Sequence, residues 1–70
     1  MDQVKVFYDV AGQTLTVWFD DPSLEHVCEE TGDEVILMKD RAGRVIGFEK
    51  LHFAPADPSR VQLDFETVGA

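Results

Sequence analysis

A turn motif that occurs twice constrains the fold of this chain more than any other feature. Residues 9–13 (D-V-A-G-Q) and 40–44 (D-R-A-G-R) share the pattern Asp-x-Ala-Gly-(Gln/Arg), and runs of β-branched and aromatic residues flank each of them. In such a turn the Asp side chain accepts hydrogen bonds from nearby backbone amides, and Gly takes the left-handed conformation that closes a three-residue hairpin. The repeat therefore predicts two β-hairpins.

The turn type also predicts the register of each hairpin, because the loop length decides which residues face each other. The predicted partners in the first hairpin are Phe7–Leu15 and Val4–Trp18. Those in the second hairpin are Leu37–Gly47, Val35–Glu49 and Ile36–Phe48. A slip of one residue would move every side chain to the other face of the sheet.

The hairpins and the C-terminal segment together predict the fold class. The hairpin strands are expected at residues 3–9, 14–20, 34–39 and 44–52. After a breaker cluster at residues 55–59, residues 61–66 alternate apolar and polar side chains and predict a fifth strand. We therefore expect a single mainly β domain over residues 1–70, an antiparallel meander of two β-hairpins with a C-terminal fifth strand. Residues 54–70 would extend beyond the core at residues 4–52.

Residues 22–31 leave a second fold class open. Asp21 is a candidate N-cap, Pro22 stands at the first helical position, and Gly32 is a typical stop. A short helix here would make the fold α+β. Because only about two turns fit and isolated helices of that length are marginal, an extended connector is an equal alternative.

Size and composition favour association of chains. A chain of 70 residues, 44% of them hydrophobic, is near the length at which one core is marginal, and a single cysteine excludes an internal disulfide. Apolar residues are expected on both faces of the sheet, so either the rest of the chain or a second subunit would cover one of them. We expect a homo-oligomer, with a dimer favoured. The interface candidates are Tyr8, Trp18, Ile36, Met38, Ile46 and Phe48.

Charge restricts the classes of partner. The net charge of −8, with only six Lys and Arg residues, disfavours binding to nucleic acid or to an anionic membrane. A small basic protein is the alternative to a second copy as partner. No apolar run is long enough to span a membrane, no signal peptide is predicted, and a lone cysteine fits a reducing compartment, so a cytoplasmic protein is expected.

The densest set of candidate ligands is His26 and Cys28, with Glu49 as a candidate acid or base. On a strand His26 and Cys28 would point the same way, but a closed zinc site needs four ligands, and the chain holds two His and one Cys. A catalytic cysteine needs a base, an orienting group and an oxyanion donor, and the sequence marks none. A position at the margin of the sheet, or pairing with Arg44 or Lys50, explains Glu49 more simply. We therefore predict no catalytic residue, no metal and no cofactor.

Several motifs between residues 4 and 52 resemble a known bacterial family. They are Phe7-Tyr8-Asp9, Leu15-Thr16-Val17, Val35-Ile36-Leu37 and, most specifically, residues 40–49 (D-R-A-G-R-V-I-G-F-E). Their order is similar to that of domain of unknown function 2283, whose members usually carry Ala-Asp where this chain has Gln13-Thr14. The resemblance implies a small bacterial protein without an established activity. Because some members are encoded beside toxin-like proteins, it also implies an antitoxin-like role by association.

Two functions are consistent with the sequence. The negative charge, the two-faced sheet and the lack of a marked catalytic set favour a non-enzymatic protein-interaction module, antitoxin-like or self-associating. The alternative is a small-ligand or metal-binding protein, or an enzyme, that uses His26, Cys28 and Glu49 at a subunit interface.

Overall fold

One open antiparallel sheet of five strands forms the protein in the computed structural model, which describes residues 3–69. Its strands are β1 (Lys5–Asp9), β2 (Thr14–Trp18), β3 (Val27–Glu30), β4 (Val35–Lys39) and β5 (Val45–Lys50). They lie side by side in the order β1-β2-β5-β4-β3. The mainly β, antiparallel fold is confirmed, and the two predicted hairpins are β1–β2 and β4–β5.

The fifth strand does not lie at the C-terminus, where the sequence pattern places it. Residues 61–69 form no strand, whereas β3 pairs with β4 at the far edge of the sheet. An alternating pattern is not sufficient for a strand, because a strand also needs a neighbour for its backbone hydrogen bonds. Residues 61–65 instead lie over one face of the sheet beside β1 and β2. We call residues 61–69 the C-terminal arm.

The segment before β3 holds one 3-10 turn, Pro22–Leu24, instead of the alternative short helix at residues 22–31. Asp21 caps this turn as the sequence predicts, because its Oδ1 accepts a hydrogen bond from the Ser23 N–H at 2.9 Å. The turn ends at Glu25, whose backbone is no longer helical. The chain then continues into β3, where pairing with β4 satisfies its backbone groups.

The same segment carries the chain across one end of the sheet. The Phe19 N–H donates to the Ile46 carbonyl at 2.7 Å on one side of the β4–β5 turn, and the His26 N–H donates to the Lys39 carbonyl at 2.8 Å on the other. Because β2 pairs with β5, the two hairpins lie side by side and the sheet is not a simple meander.

The turn at residues 40–44 has the predicted conformation. Gly43 is left-handed, with a φ of 82°, and the Asp40 N–H donates to the Arg44 carbonyl at 3.0 Å. Lys39 accordingly faces Val45, but Ile46 is then an extra residue in β5, so the next pair is Met38–Gly47. This bulge shifts the rest of the hairpin by one residue, and the three predicted pairs are wrong by one. The observed pairs are Val35–Lys50, Ile36–Glu49 and Leu37–Phe48.

The turn at residues 9–13 differs from its sequence repeat. Its left-handed residue is Gln13, with a φ of 56°, and Gly12 has no positive φ. The loop is therefore one residue longer than predicted, and Asp9 faces Thr14. The predicted first-hairpin pairs are wrong for this reason; the observed ones include Lys5–Trp18, Phe7–Thr16 and Tyr8–Leu15.

The observed register sorts the side chains onto two unequal faces. The apolar face carries Val4, Val6, Tyr8, Leu15, Val17, Phe19, Val27, Val35, Leu37, Val45 and Phe48, together with Glu29, Lys39 and Lys50. The mixed face carries Lys5, Phe7, Thr16, Trp18, Cys28, Glu30, Ile36, Met38 and Glu49. Apolar side chains thus lie on both faces, as the sequence predicts, but the mixed face also carries Lys5, Glu30 and Glu49.

Little of the chain is buried in this single layer. The buried apolar side chains in the described part are Met38 and Ile46, which are 4% and 3% exposed. Met38 lies beside Gly47 together with Trp18: a Cβ built on Gly47 would stand 2.9 Å from Trp18 Cε3 and 3.2 Å from Met38 Cε. Gly47 thus lets two large side chains meet over the central strand.

Candidate interaction surface

The exposed apolar side chains are concentrated on the apolar face and the C-terminal arm. Eleven large apolar residues are exposed within residues 3–69. Eight of them belong to the apolar face or to the arm: Val4, Phe19, Val27, Val45, Val61, Leu63, Phe65 and Val68. The other three are separate, with Phe7 on the mixed face, Val10 in the first turn and Leu24 in the 3-10 turn. Large apolar patches on one side of a protein mark interaction sites, so the apolar face is the candidate site.

The arm covers the β1–β2 half of the apolar face loosely. Val61 and Leu63 border a cavity of about 330 Å³ next to Val6, Val17 and Phe53. A second cavity, of about 410 Å³, lies between Leu63, Phe65, Val4 and Gln3. Neither cavity is lined by a residue of β3, β4 or β5. The arm therefore stands over one half of the face and leaves the other half open.

Charge is balanced on the apolar face. Glu29 is the acidic strand residue on this face, and its carboxylate pairs with the Lys39 ammonium group. Lys50 pairs with Glu34 at 3.2 Å. The other acidic strand residues in the described part point to the mixed face; they are Asp9, Glu30 and Glu49. The strand residues of the apolar face thus carry little net charge, whereas the chain carries −8 and the arm adds Asp64 and Glu66.

The six predicted interface residues are divided among three environments. Tyr8 and Phe48 lie on the apolar face, where the Tyr8 ring stands edge-on to Phe53 with centroids 5.2 Å apart. Trp18 and Ile36 lie on the mixed face. Met38 and Ile46 are buried within the chain and have almost no surface to offer a partner.

Sequence reasoning did not select the residues that the structure leaves most exposed on the apolar face. These are Val4, Phe19, Val27 and Val45. The register was the missing signal: once Tyr8 faces Leu15, Val4 and Val6 share a face with Val17 and Phe19. Val27 joins them because it lies opposite Lys39, which in turn lies opposite Val45.

The structure does not bring His26, Cys28 and Glu49 together as one site. Cys28 points to the mixed face, and its thiol donates to the Glu25 carboxylate at 2.8 Å. Glu49 lies opposite Ile36 and accepts from the Thr16 hydroxyl at 3.2 Å. His26 lines a cleft with the β4–β5 turn, next to Asp40, Arg41, Ala42 and Arg44. Over the described range, no group of three or more His, Cys, Asp or Glu side chains is placed to hold a metal ion.

The predicted ion pairs of Glu49 are corrected by these contacts. Arg44 is engaged by the Asp40 carboxylate at 2.9 Å, and Lys50 by Glu34. The predicted position of Glu49 opposite Val35 is wrong for the same reason as the register, the bulge at Ile46.

The Cys28 thiol has an environment that disfavours nucleophilic chemistry. Its hydrogen bond to Glu25 raises the pKa of the thiol above the ordinary value of 9.0, and desolvation and the charges of Glu25 and Glu49 raise it further. Reactive cysteines need the opposite, a pKa lowered by nearby positive charge or a helix N-terminus. Cys28 is therefore a protonated, exposed thiol near neutral pH.

The Asp40 carboxylate stabilises the turn at residues 40–44 and does not serve as a ligand-binding group. Its Oδ1 accepts from the backbone N–H groups of Ala42 at 2.9 Å and Arg44 at 3.0 Å, and its Oδ2 accepts from the Arg44 side chain. The backbone hydrogen bond from Arg44 is the main reason that the pKa of Asp40 lies below its ordinary value. These bonds stay within the turn, so the carboxylate is committed to the fold.

The fold and its surface define a small β protein built on a single antiparallel sheet with one exposed apolar face. The chain belongs to the family described as Protein of unknown function (DUF2283), whose family model matches residues 5–53. The match confirms the resemblance over residues 4–52 and includes all five strands, while the arm lies beyond it. The comparison with curated proteins gave no match, and neither did the comparison with solved structures. No helix among residues 3–69 is long and apolar enough to cross a membrane.

Proposed function

We propose that this protein is a non-enzymatic protein-interaction module of the bacterial cytoplasm that works as a homodimer through its apolar face. The observation that carries the proposal is the one-sided distribution of exposed apolar residues, eight of eleven on the apolar face or the arm. A single sheet buries only one layer of side chains, whereas stable domains pack two layers around a core. The arm covers only one half of the apolar face, and a second copy would supply the layer over the other half.

The dimensions of the chain support the same proposal. The accessible surface is 5518 Å², whereas a compact monomer of 7.9 kDa exposes about 4,400 Å². The excess of roughly 1,100 Å² is close to the 800 Å² or so that each partner buries in a standard protein interface. The Cα radius of gyration is 13.4 Å, compared with about 11 Å for a compact chain of this length.

The polar groups support a role in binding rather than in chemistry. The candidate nucleophile Cys28 has a raised pKa, and the buried carboxylate of Asp40 is fully used by its own turn. Catalysis needs a nucleophile or base with free hydrogen-bonding capacity in a common pocket. The apolar face offers apolar area, and homodimer interfaces are more apolar than the rest of a protein's surface.

A matched pair of substitutions tests the proposal. Phe19 on the apolar face is 46% exposed and Phe7 on the mixed face is 55% exposed, so Phe19→Asp and Phe7→Asp remove the same side chain and add the same charge. We expect Phe19→Asp to raise the dimer dissociation constant about 100-fold, as loss of an aromatic hot spot of about 2–3 kcal/mol does. Phe7→Asp should change it by less than about fivefold, in the range of a peripheral contact.

Light scattering at several protomer concentrations measures the constants. Equal effects of the two substitutions would contradict the assignment of the apolar face as the binding surface. A wild-type chain that stays monomeric throughout would contradict the proposal as a whole.

A further inference from the structure

The occupant of the open half of the apolar face follows from the way the arm divides that face. We infer that the arm of each copy docks on the β4–β3 half of the apolar face of a second copy, so that the two arms complete a reciprocal interface. The inference rests on the proposed function and specifies its geometry. It names the arm, which lies outside the family match, as the docking element.

The arm carries apolar side chains that its own sheet leaves largely exposed. Leu63 and Phe65 are 70% and 75% exposed although both stand over an apolar face. The last backbone hydrogen bond of this region joins the Val61 N–H to the Pro58 carbonyl at 3.4 Å, and none is formed by the described residues that follow. The arm is therefore raised from the sheet by cavities and free to contact a second surface.

Two-fold symmetry makes the two halves of the face complementary. In a two-fold interface, if one patch of the first copy contacts a different patch of the second copy, the same contact is made with the two copies exchanged. A two-fold axis parallel to the strands and near the central strand β5 places β1–β2 of one copy over β4–β3 of the other. The thick half, covered by the arm, then meets the open half, and the sheets approach without a collision between the two arms.

Residues at the same end of the sheet then come together. Val4 and Phe65 lie at the end where β1 begins, and Val27 and Val45 lie at that same end on β3 and β5. Rotation about an axis parallel to the strands preserves the position along them. Phe65 of one copy is therefore placed near the exposed Val27 of the other.

Charge selects a second copy over a basic protein as the occupant. The open β4–β3 half of the apolar face balances Glu29 with Lys39, so this half offers no acidic cluster to a basic partner. The acidic strand residues other than Glu29 point to the mixed face. They are therefore not brought face to face when two apolar faces meet. A chain with a net charge of −8 repels its copies least where its charge is balanced.

Disulfide cross-linking of the full chain tests this geometry. In a Cys28→Ser background, Phe65→Cys is combined with Val27→Cys. Within one chain the arm lies over β1–β2 and Val27 lies on the far edge strand, about 19 Å from β1 across four strand spacings, which is too far for a disulfide. The control combines Phe65→Cys with Phe7→Cys on the mixed face, another exposed position.

The expected result is that mild oxidation converts the Val27→Cys/Phe65→Cys chain mainly into a covalent dimer. Mass spectrometry of its peptides should show a disulfide that joins position 27 of one chain to position 65 of the other. The Phe7→Cys control should stay largely uncross-linked. If the wild-type chain is dimeric but the Val27→Cys/Phe65→Cys chain forms no such link, or links position 65 mainly to position 65 of the other copy, the docking geometry is overturned and the proposed function stands. A wild-type monomer would overturn both.

A second measurement on unsubstituted chains guards against damage by the new cysteines. In a dimer reconstituted from one isotopically labelled and one unlabelled copy, filtered nuclear Overhauser spectra report contacts between chains only. We expect contacts from the Phe65 ring to Leu37 and Val27 of the other copy. Intermolecular contacts confined to β1 and β2 would contradict the inference.

Discussion

Replacement of Gly47 by Ala tests the packing of the central strand. A Cβ built at this position would lie 2.6 Å from the backbone oxygen of Val17, in addition to its close approach to Trp18 and Met38. Side-chain rotation relieves the contact with Met38, but the oxygen belongs to the neighbouring strand β2, so β2 and β5 must separate. Overpacking of this kind costs about 1–3 kcal/mol, and we expect Gly47→Ala to lower the free energy of unfolding by about 2 kcal/mol.

Urea denaturation at one fixed protomer concentration measures this cost, because association makes the apparent stability depend on concentration. With a slope of about 1–2 kcal/mol per molar urea for a chain of this size, the midpoint should fall by roughly 1–2 M. Gly43 provides the control: a Cβ there meets nothing within 4 Å, and its φ of 82° is the remaining obstacle. Gly43→Asn, which tolerates that backbone conformation, should therefore cost less than Gly47→Ala. A Gly47→Ala midpoint within error of the wild type would refute the close packing described for β2 and β5.

Three further predictions concern single groups. Gln13→Gly should raise the free energy of unfolding by about 1 kcal/mol in the same assay, because it relieves a left-handed non-glycine residue; a loss of stability would contradict this. The pKa of Asp40 is lowered in the folded protein, so ionised Asp40 stabilises the fold. This stabilisation is complete above the ordinary pKa of 3.8 and is lost as the pH falls through the lower pKa of the folded state. Asp40→Asn should therefore be less stable at pH 7 and should lose less stability than wild type between pH 5 and pH 2, and parallel acid profiles would disprove the linkage. Glu25→Gln should speed alkylation of Cys28 at pH 8 by lowering the pKa of the thiol, whereas an unchanged rate would show that Glu25 does not hold it.

The hairpins could be predicted from the sequence because their information is local. Asp40 and Gly43 act within one turn, and that turn has the predicted conformation. The first turn has the same motif, with the Gly12 N–H donating to Asp9 Oδ1 at 3.0 Å, yet its left-handed residue is Gln13. The Gln13 carbonyl accepts from the Phe53 N–H at 2.8 Å, a tertiary contact that no local pattern contains.

The faces could not be predicted because each depends on a single inserted residue. The longer first loop and the extra Ile46 in β5 each move a hairpin by one position, and a shift of one exchanges the faces. The predicted interface residues depend on the predicted faces and therefore differ from the residues that the structure leaves exposed. Buried Met38 and Ile46 were selected, and exposed Val27 was not.

The fifth strand illustrates the limit of periodicity. β3 carries two adjacent acids, Glu29 and Glu30, and its four residues are exposed, so it lacks the alternation that marks a half-buried strand. It is held instead by pairing with β4 and by the ion pair between Glu29 and Lys39. The arm has the alternation, yet it pairs with neither edge strand of the sheet, β1 or β3.

The central claim is that the apolar face is an interface between copies, and the molecular mass of the unmodified chain in solution tests it most directly. Sedimentation equilibrium from low micromolar to millimolar protomer concentration follows the mass without any substitution. The account predicts a reversible rise from 7.9 kDa to twice that mass, with no larger species, because a two-fold interface closes on itself. A mass that stays at 7.9 kDa over the whole range would contradict the claim.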